Sequence, residues 1–403
     1  MCVVGLGYIG LPTAVVLAQA DQTVFGVDKV PAVVSEINAG RLHFVEPGLE
    51  ELLAKVVSEG RLTAGTQPVP ADVYIVAVPT PITAENRADL SYVESASREI
   101  AAVLTGGELV ILESTSPPGA TEMVRDWVAE ERPELDIDSI DFAHGPERVL
   151  PGQILEELVK NDRIVGGITE RASQRAKAVY ELFCKGDVFM TTARTAEAAK
   201  LVENSYRDVN IAFANELSLI ADHLDIDVWE LIALANRHPR VNILTPGPGV
   251  GGHCIAVDPW FLAEAAPAEA RLVKLARDVN DAKPDFVLDQ MARAGGSDAK
   301  TIALLGLAFK KNVDDLRGSP AVSIAKRVAE TFAGARVVVV EPFVDELPDS
   351  LAEAGLELVD QSVLGSADLV VLLVDHDAFI DVPGSLNPQT KVVDTRGLWQ
   401  SVL

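Results

Sequence analysis

The chain has 403 residues, of which 48% are hydrophobic and 23% charged, a balance typical of folded globular proteins. This length exceeds what one core usually supports, so we expect two or three domains. The 34 basic and 60 acidic residues give a formal net charge of −26, which argues against nucleic acid and membrane as partners, because both need a basic surface. The acidic surface is expected to favour solubility, with a salt-adapted host as the alternative.

Targeting and redox signals point to the cytoplasm. No apolar run approaches the roughly 18 residues of a membrane helix, and no basic region follows Met1, so no signal peptide is expected. The three cysteines, Cys2, Cys184 and Cys254, are far apart and odd in number. That pattern argues against a disulfide framework and favours a reducing compartment. No metal site is assigned.

The first part of the chain alternates strands with helices. Residues 1–30 predict a strand, a glycine turn, a helix and a second strand, although only four residues precede Gly5. Apolar, β-branched runs follow at 72–81 and 108–119, with a helical segment from Ser91 to Leu104 between them. This alternation predicts a parallel, doubly wound sheet, to which we assign residues 1–190.

The middle of the chain is helical. From about Thr195, apolar residues recur at spacings of three and four with no glycine or proline, which predicts one long helix. Further helical sequence precedes the loop TPGPGVGGHCIAVDPW, and another helix is expected near Ala268 to Asn280. We assign residues 191–290 to a helical central domain.

Strand-like runs return at 301–309, 335–343, 368–376 and 390–397. They predict a second, smaller α/β domain over residues 291–403. The expected fold class is therefore α/β, with two Rossmann-like doubly wound parallel-sheet domains joined by a helical central domain.

The segment Gly5-Leu-Gly7-Tyr8-Ile9-Gly10 is a GxGxxG that follows a strand and opens a helix. Its first glycine permits a tight turn, its second lets a pyrophosphate approach the backbone, and its third lets helix and strand pack closely. The motif predicts a dinucleotide site. A plain glycine turn and an FAD site are the alternatives.

Asp28 ends the next strand, 18 residues after Gly10. A carboxylate there accepts hydrogen bonds from ribose hydroxyls and repels a 2′-phosphate, so NAD is favoured over NADP. Lys29, next to it, weakens this preference. NAD is the expected cofactor.

Cys254 is the candidate nucleophile. A lone intracellular cysteine is more often a buried filler, an interpretation that suits Cys2 and Cys184. Cys254 instead follows a loop rich in glycine and proline, and such constrained loops more often hold a reactive group. Asp258, four residues later, is close enough to serve as a hydrogen-bonding or general-base partner.

Lys200 and Asn204 are four residues apart on the long helix and share one face. A partly buried lysine beside an asparagine could stabilise an oxyanion. A solvent-facing lysine beside a capping-type asparagine is the alternative, and spacing alone leaves both open.

Six motifs in chain order resemble the UDP-sugar 6-dehydrogenases of the UDP-glucose/GDP-mannose dehydrogenase family over essentially the whole chain. They are Gly5-x-Gly-x-x-Gly10, Glu113-Ser114-Thr115, Gly145-Pro-Glu147-Arg148, Lys200-Leu-Val-Glu-Asn204, Gly251-Gly-His-Cys254 with Asp258, and Phe309-Lys310-Lys311 with Arg317. HPRVNILTPGPGVGGHCIAVDPW and GPERVLPG are most similar to the branch that oxidises UDP-N-acetylmannosamine.

The resemblance implies a four-electron oxidation of the sugar C6 alcohol. NAD would accept a hydride from the alcohol, Cys254 would capture the aldehyde as a thiohemiacetal, and a second oxidation would leave a thioester for hydrolysis. Lys200 and Asn204 would stabilise oxyanions, and Asp258 would manage protons. Glu147 and Thr115 would position the hydrolytic water.

The resemblance also implies the binding residues. Arg240 and Arg396 would clamp the pyrophosphate, and Arg240 would reach the neighbouring subunit's site, which implies a homodimer or a higher homo-oligomer. The expected cofactor residues are Gly5, Gly7, Tyr8, Ile9, Gly10, Asp28, Lys29, Thr80, Thr115 and Arg317. The expected substrate residues are Glu147, Arg148, Val149, Lys200, Asn204, Arg207, Arg240, Asn242, Gly249, Gly251, Phe309, Lys310 and Arg396.

Arg148 occupies a position where UDP-glucose dehydrogenases typically carry an aromatic residue, which shifts the expected substrate toward an N-acetylated sugar. UDP-N-acetylglucosamine and UDP-glucose remain alternatives within the enzyme class. A catalytically silent sugar-nucleotide sensor is the alternative from another class. Loss of Cys254, Lys200 or Asp258 would mark such a sensor, and all three are present.

Overall fold

A computed structural model describes residues 1–150, 152–252 and 254–400. The chain divides into two compact units. One comprises Met1–Glu203 with Trp260–Ala266, and the other comprises Asn204–Pro259 with Pro267–Leu403. Among the described residues, no helix has the length and apolar character needed to cross a membrane.

The described part of the first unit is built on one sheet of eight strands. These are β1 (Cys2–Val4), β2 (Val24–Val27), β3 (Leu62–Gly65), β4 (Val73–Val76), β5 (Leu109–Leu112), β6 (Asp141–His144), β7 (Arg163–Gly167) and β8 (Val188–Thr192). Its complete helices are α1 (Gly10–Gln19), α2 (Pro31–Asn38), α3 (Leu49–Ser58), α4 (Ser91–Ala101), α5 (Ala120–Glu131), α6 (Ile154–Lys160) and α7 (Glu170–Tyr180).

The strand order is β3-β2-β1-β4-β5-β6-β7-β8. The pairs are parallel except β6 with β7, which is antiparallel. The doubly wound fold class is confirmed, whereas the all-parallel arrangement expected for this sheet does not extend to β7. The physical reason is that an antiparallel neighbour needs no crossover, so the connection from β6 to β7 is free to form a loop and the short helix α6.

The apolar runs of the central strands are explained by burial on both faces of the sheet. Ile75 and Ile111 pack in the cluster on one face, while Tyr74 and Val110 pack in the cluster on the other. The predicted helix after β4 is observed as α4. The sheet is thus a rigid support whose strand ends carry the functional loops.

The described residues of the second unit form five strands: β9 (Thr301–Leu305), β10 (Arg336–Val340), β11 (Glu357–Leu358), β12 (Leu369–Leu372) and β13 (Lys391–Asp394). They form a parallel sheet in the order β11-β10-β9-β12-β13. The remaining helices of the chain are α8 (Ala193–His223), α9 (Val228–Ala235), α10 (Asp258–Ala265), α11 (Arg271–Arg293), α12 (Pro320–Thr331) and α13 (Asp349–Ala352).

The predicted long helix is α8, whose 31 residues run from the first unit into the second. The helix expected near Ala268 to Asn280 is longer than its sequence indicates, since α11 continues past Pro284 to Arg293. An internal proline removes one helix hydrogen bond. Burial of Val287 and Met291 in the core of the second sheet offsets that loss.

The two sheets begin in the same way. After β1, Gly5 has φ +92° and its N–H donates to the carbonyl of Val27 at 2.8 Å. After β9, Gly306 has φ +90° and its N–H donates to the carbonyl of Val340 at 2.9 Å. In each sheet the strand order reverses beside this turn, where doubly wound folds bind their ligands. The division at residues 190 and 290 stays a prediction.

Candidate active site

The glycine turn after β1 provides a phosphate cradle in the first unit. A Cβ on Gly5 would lie 2.5 Å from the carbonyl oxygen of Ala77, and one on Gly10 would lie 1.8 Å from that of Gly5. A Cβ on Gly7 would meet no atom within 4 Å, so the middle of the turn is open. Tyr8 is 40% exposed and Ile9 is half-buried. The turn at the N-terminus of α1 therefore fits a pyrophosphate.

Asp28 is held at the end of β2 by backbone donors. Its Oδ2 accepts the N–H of Leu6 at 3.1 Å and its Oδ1 that of Val30 at 2.9 Å. The carboxylate keeps further acceptor positions for ribose hydroxyls. Lys29, which weakened the NAD prediction, forms an ion pair with Glu99 at 2.8 Å. The residues present thus fit NAD.

The loops after β4 and β5 are joined by a hydrogen bond between two predicted site residues. The hydroxyl of Thr80 donates to the carbonyl of Thr115 at 2.7 Å. Nearby, the Ser114 hydroxyl donates to the carbonyl of Val78 at 2.7 Å. The two threonines predicted to border the cofactor are thereby brought together.

Glu147 lies in the loop after β6 and is 8% exposed. Its Oε2 is 2.5 Å from Nη2 of Arg163, and its Oε1 accepts the N–H of Arg148 at 2.6 Å. Arg163 was not among the predicted site residues. An arginine inside the apolar strand run RIVGG is the signal that could have found it, because such a residue needs a buried partner.

Arg163 and Glu147 belong to a larger buried cluster. Glu113 accepts a hydrogen bond from the Thr13 hydroxyl at 3.1 Å and lies 3.1 Å from the hydroxyl of Tyr180. Burial, followed by the negative charge of Glu147, raises the pKa of Glu113 to about 7. The guanidinium of Arg163 lies over the Tyr180 ring, 4.6 Å from its centroid.

Arg148 and Val149, both predicted to contact substrate, follow Glu147 directly. The Arg148 guanidinium pairs with Glu203 at 2.5 Å and donates to the carbonyl of Asp162. Val149 packs beside Val16 in a small apolar cluster. The structure therefore gives both side chains protein contacts of their own.

In the second unit, Asn204 and Asp258 meet. The amide nitrogen of Asn204 donates to Oδ2 of Asp258 at 2.5 Å, and Asp258 is only 3% exposed. The N–H of Asp258 donates to the carbonyl of Cys254 at 2.8 Å. Cys254 is exposed, whereas Cys2 is buried and Cys184 is half-buried. Of the three thiols, that of Cys254 is the one most open to solvent.

The glycines before Cys254 let the loop pack against the start of α12. A Cβ on Gly249 would lie 2.9 Å from Cβ of Pro320, and one on Gly251 would lie 2.6 Å from the carbonyl oxygen of Gly318. Gly252 has φ +87°, and a Cβ there would approach Phe309 at 3.3 Å. His253, part of the motif, lies outside the described residues. The glycine content thus follows from close contact, and Gly249, Gly251 and Phe309 are brought together.

The end of β13 supplies Arg396. Its guanidinium pairs with Asp375 at 2.9 Å, and a Cβ on Gly247 would lie 2.5 Å from its Nη1. Arg317 pairs with Asp315 at 2.8 Å, and Lys310 is exposed. Arg396 is therefore the predicted cation that directly borders the glycine loop.

The other predicted residues have different surroundings. Lys200 is half-buried one turn before Asn204 on α8, and Arg207 is exposed on the same helix. Arg240 and Asn242 are exposed in the segment after α9. These placements leave their predicted roles as proposals. Among the residues the structure describes, no cluster of His, Cys, Asp or Glu side chains has the geometry of a metal site.

Sequence reasoning also missed two asparagines that hold the glycine loop. Asn215 donates to Oδ1 of Asn280 at 2.8 Å and accepts the N–H of Gly247 at 2.9 Å. Asn280 in turn donates to Asp208 at 2.8 Å, and Asp208 pairs with the buried Arg277 at 2.7 Å. Both amides are buried and therefore need partners, but nothing in the sequence marks that burial.

Three domain models of the UDP-glucose/GDP-mannose dehydrogenase family match the sequence. They are the NAD binding domain at residues 1–184, the central domain at 194–282 and the UDP binding domain at 303–401.

Individual relatives cover nearly the whole chain. A Ralstonia nicotianae protein named NDP-N-acetyl-D-galactosaminuronic acid dehydrogenase is 54% identical over 408 residues, covering 99% of this chain and 96% of its own. A Salmonella typhi protein named UDP-N-acetyl-D-mannosamine dehydrogenase is 51% identical over 414 residues, covering 99% and 98%. The solved UDP-D-ManNAc dehydrogenase of Pyrococcus horikoshii has a TM-score of 0.86 at 38% identity, covering 99% and 96%. The chain therefore belongs to the UDP-glucose/GDP-mannose dehydrogenase family and is an NAD-dependent UDP-sugar dehydrogenase.

Proposed function

We propose that the protein oxidises the C6 alcohol of a UDP-N-acetylhexosamine to the carboxylate, with UDP-N-acetylmannosamine as the preferred substrate. The observation that carries the proposal is the exposed thiol of Cys254. It lies four residues before Asp258, which is buried and hydrogen-bonded to Asn204. A two-electron alcohol oxidation needs no nucleophile. A thiol is needed when the aldehyde must be converted into a second hydride donor.

Bound NAD+, held by the glycine turn and Asp28, supplies the hydride acceptor for each of the two oxidations. Cys254 attacks the aldehyde carbon, a C–S bond forms and the carbonyl oxygen becomes the hydroxyl of a thiohemiacetal. Oxidation of that carbon leaves a thioester on Cys254. Water then attacks the acyl carbon, the C–S bond breaks, and the carboxylate and the free thiol are released with one proton.

The other catalytic roles follow from the positions of the side chains. The ammonium of Lys200 and the amide of Asn204, one turn apart on α8, donate to the oxyanions of the tetrahedral intermediates. Asp258 accepts a hydrogen bond from the Asn204 amide at 2.5 Å and so orients that donor. The same carboxylate transfers protons to and from the thiol and the water. Glu147 and Thr115 position the water for hydrolysis.

Substrate binding uses the cations and the glycine loop. Arg396 and Arg240 bind the pyrophosphate, because a guanidinium matches phosphate oxygens with two parallel hydrogen bonds. The backbone at Gly249 and Gly251, which packs closely against Pro320 and Gly318, borders the sugar nucleotide. Phe309 and Lys310 border it, Arg207 and Asn242 contribute polar groups, and Arg317 contacts the cofactor.

The specific sugar rests on Arg148 and on the HPRVN segment. The relative at 51% identity is named for UDP-N-acetyl-D-mannosamine. The relative at 54% identity is named for an N-acetylgalactosamine-derived acid, which makes UDP-N-acetylgalactosamine the second candidate. Both are N-acetylated hexosamines, the class that Arg148 favours over UDP-glucose.

The protein acts as a homo-oligomer in the cytoplasm. The second-unit part of α8 carries an apolar stripe at spacings of three and four residues. Its most exposed members are Tyr206 at 71%, Phe213 at 52% and Ile220 at 46%, and Leu224, directly after the helix, continues the stripe at 56%. A continuous apolar stripe on a soluble surface marks a protein interface. A second copy of this helix fits it, because a twofold interface uses the same patch twice.

The test is a panel of UDP-N-acetylmannosamine, UDP-N-acetylgalactosamine, UDP-N-acetylglucosamine and UDP-glucose with NAD+. We expect two NADH for each sugar consumed and the highest kcat/KM with UDP-N-acetylmannosamine. One NADH per sugar would overturn the thioester scheme, and activity on UDP-glucose alone would overturn the sugar assignment. Binding without NADH production would instead indicate a sensor.

A further inference from the structure

One buried guanidinium in the first unit faces two buried carboxylates. Nη2 of Arg163 is 2.5 Å from Glu147, while its Nη1 is 3.9 Å from Oε1 of Glu113. The side chains of Glu113 and Glu147 are 0% and 7% exposed. One positive charge cannot balance two buried negative charges, and an uncompensated buried charge is strongly destabilising. One carboxyl of the pair should therefore be neutral.

Counting hydrogens assigns the proton to Glu113. The Tyr180 hydroxyl lies 3.1 Å from Oε1 of Glu113 and 3.3 Å from the carbonyl oxygen of Gly145. A hydroxyl has one hydrogen, so it donates to only one of these two oxygens. The carbonyl cannot donate in return, whereas a protonated Glu113 can. Both contacts are satisfied when Glu113 donates to Tyr180 and Tyr180 donates to Gly145.

We propose that Arg163 is a positioning residue that holds the Glu147 carboxylate in place for thioester hydrolysis. Glu113, being neutral, does not compete with Glu147 for the guanidinium. This inference rests on the water-positioning role proposed above for Glu147. It assigns no contact with substrate to Arg163 or Glu113. Each acts through the loop after β6.

The surroundings of Glu113 are specific to this arrangement. Thr13 reaches it from α1, Tyr180 from α7 and Arg163 from β7, and Glu147 follows β6. A Cβ on residue 145 would lie 2.4 Å from the Tyr180 hydroxyl, so a glycine is required where the tyrosine approaches. The first glycine of the Gly145-Pro-Glu147-Arg148 motif thus serves the cluster.

The arrangement makes hydrolysis sensitive to pH. Burial and then the charge of Glu147 raise the pKa of Glu113 to about 7. Below pH 7 Glu113 is neutral, and the Arg163 guanidinium pairs with Glu147 alone. Above pH 7 Glu113 gains a negative charge beside the same guanidinium and competes for it. Hydrolysis should therefore slow as the pH rises through 7, and a glutamine at position 113 should remove that titration.

The experiment follows a single turnover of the full-length enzyme with NAD+ and whichever UDP-sugar of the panel it oxidises. NADH is recorded by absorbance. Intact-protein mass spectrometry of acid-quenched samples measures the fraction of enzyme that carries an acyl adduct on Cys254. The variants are Arg163→Lys and Glu113→Gln. Arg175→Lys is the matched control, because Arg175 on α7 pairs at 2.8 Å with Asp141, a buried carboxylate on β6 of the same unit.

In Arg163→Lys we expect both NADH to form, the adduct to accumulate and its hydrolysis to slow about tenfold to a hundredfold, the loss expected when a catalytic group is misplaced by about 1 Å. In Glu113→Gln the decline of hydrolysis above pH 7 should disappear. Arg175→Lys should match the wild type. Wild-type hydrolysis rates in both Arg163→Lys and Glu113→Gln, with an unchanged pH profile, would overturn the inference. A wild-type enzyme that forms no adduct would overturn the proposed function instead.

Discussion

The amide of Asn204 donates to the carboxylate of Asp258 at 2.5 Å, which joins the long helix to the residue four positions after Cys254. The two residues are adjacent although 54 positions separate them in the chain. The contact fixes the amide plane of Asn204, and a fixed donor stabilises a transition-state oxyanion more than a mobile one.

Removing the Asn204 donor should slow the chemistry more than it weakens binding. We expect Asn204→Ala to lower kcat about a hundredfold to a thousandfold, the usual loss for one oxyanion donor, with a small change in KM. Steady-state kinetics measure both. The control is Asn210→Ala, because the Asn210 amide donates to the Tyr206 carbonyl within α8. A wild-type kcat in Asn204→Ala would remove the donor role.

Replacing the nucleophile should separate the two oxidations. In Cys254→Ser, the first oxidation should persist and acid formation should fall at least about a thousandfold, because a serine hydroxyl is a far weaker nucleophile than a thiolate. Product analysis distinguishes trapped aldehyde from acid. Cys184→Ser, at the half-buried cysteine, is the control and should make acid normally. Normal acid formation by Cys254→Ser would contradict the covalent scheme.

The charge of Asp28 should set the choice of cofactor. Asp28→Asn keeps the size of the side chain and one acceptor oxygen for the N–H groups of Leu6 and Val30, but it no longer repels a 2′-phosphate. We expect the ratio of kcat/KM for NADP+ to that for NAD+ to rise about tenfold, or roughly 1.4 kcal/mol. Asp21→Asn, at the exposed Asp21–Arg61 pair, should leave the ratio unchanged. An unaltered ratio in Asp28→Asn would show that the carboxylate does not discriminate.

The proton on Glu113 should also appear in stability. Its pKa is raised from 4.5 to about 7, first by burial, so between these values the folded protein holds a proton that the unfolded chain has lost. The free energy of unfolding must then fall as the pH rises through this window. Glu113→Gln has no such proton to lose. The free energy of unfolding of the variant minus that of the wild type should therefore rise by roughly 2–3 kcal/mol from pH 5 to pH 8, at about 1.4 kcal/mol per pH unit.

Urea unfolding at several pH values measures this difference, with Glu50→Gln at an exposed position as the control. The control's difference from wild type should not vary over the window. A Glu113→Gln difference that is equally flat would mean that Glu113 is ionised throughout.

Charge in the α8 stripe should break the oligomer. We expect Phe213→Glu, at a side chain 52% exposed, to give monomers in light scattering at concentrations where the wild type is at least dimeric. The physical reason is the cost of burying an unpaired charge at the interface. Val45→Glu places the same charge at another exposed apolar side chain, 89% exposed, and should not change the mass. An unchanged mass in Phe213→Glu would place the interface elsewhere.

Periodicity was informative wherever local sequence determines structure. Helix α8 was predictable because its apolar residues recur at helical spacing with no glycine or proline between them. The turn at Gly5 was predictable because each glycine of its motif meets a different steric requirement. The direction of β7 was not, since hydrophobic patterns do not encode whether neighbouring strands are parallel. The extension of α11 beyond Pro284 depends on burial against another element, which local sequence does not record.

The site divides in the same way. Asp28 could be assigned because it lies at a fixed distance from the glycine motif. Arg163 could not, because its significance lies in Glu147 and Glu113, which come from other strands. Asn215 and Asn280 are 65 positions apart, and each alone looks like an ordinary polar helix residue. Contacts between residues distant in the chain could not be predicted, because one sequence does not record which residues the fold brings together.

The segment from Gly247 to Asp258 is attached at both ends to one helix. Gly247 is held by Asn215 and Asp258 by Asn204, eleven residues apart on α8 and thus about 16 Å along its axis. The eleven Cα–Cα steps from Gly247 to Asp258 could extend about 37 Å, so the segment that carries Cys254 has more length than the distance between its two attachment points requires. The spacing of Asn204 and Asn215 on α8 sets that distance. One residue inserted between Asn204 and Asn215 would rotate one attachment point about 100° from the other, misaligning the thiol without altering any residue near it.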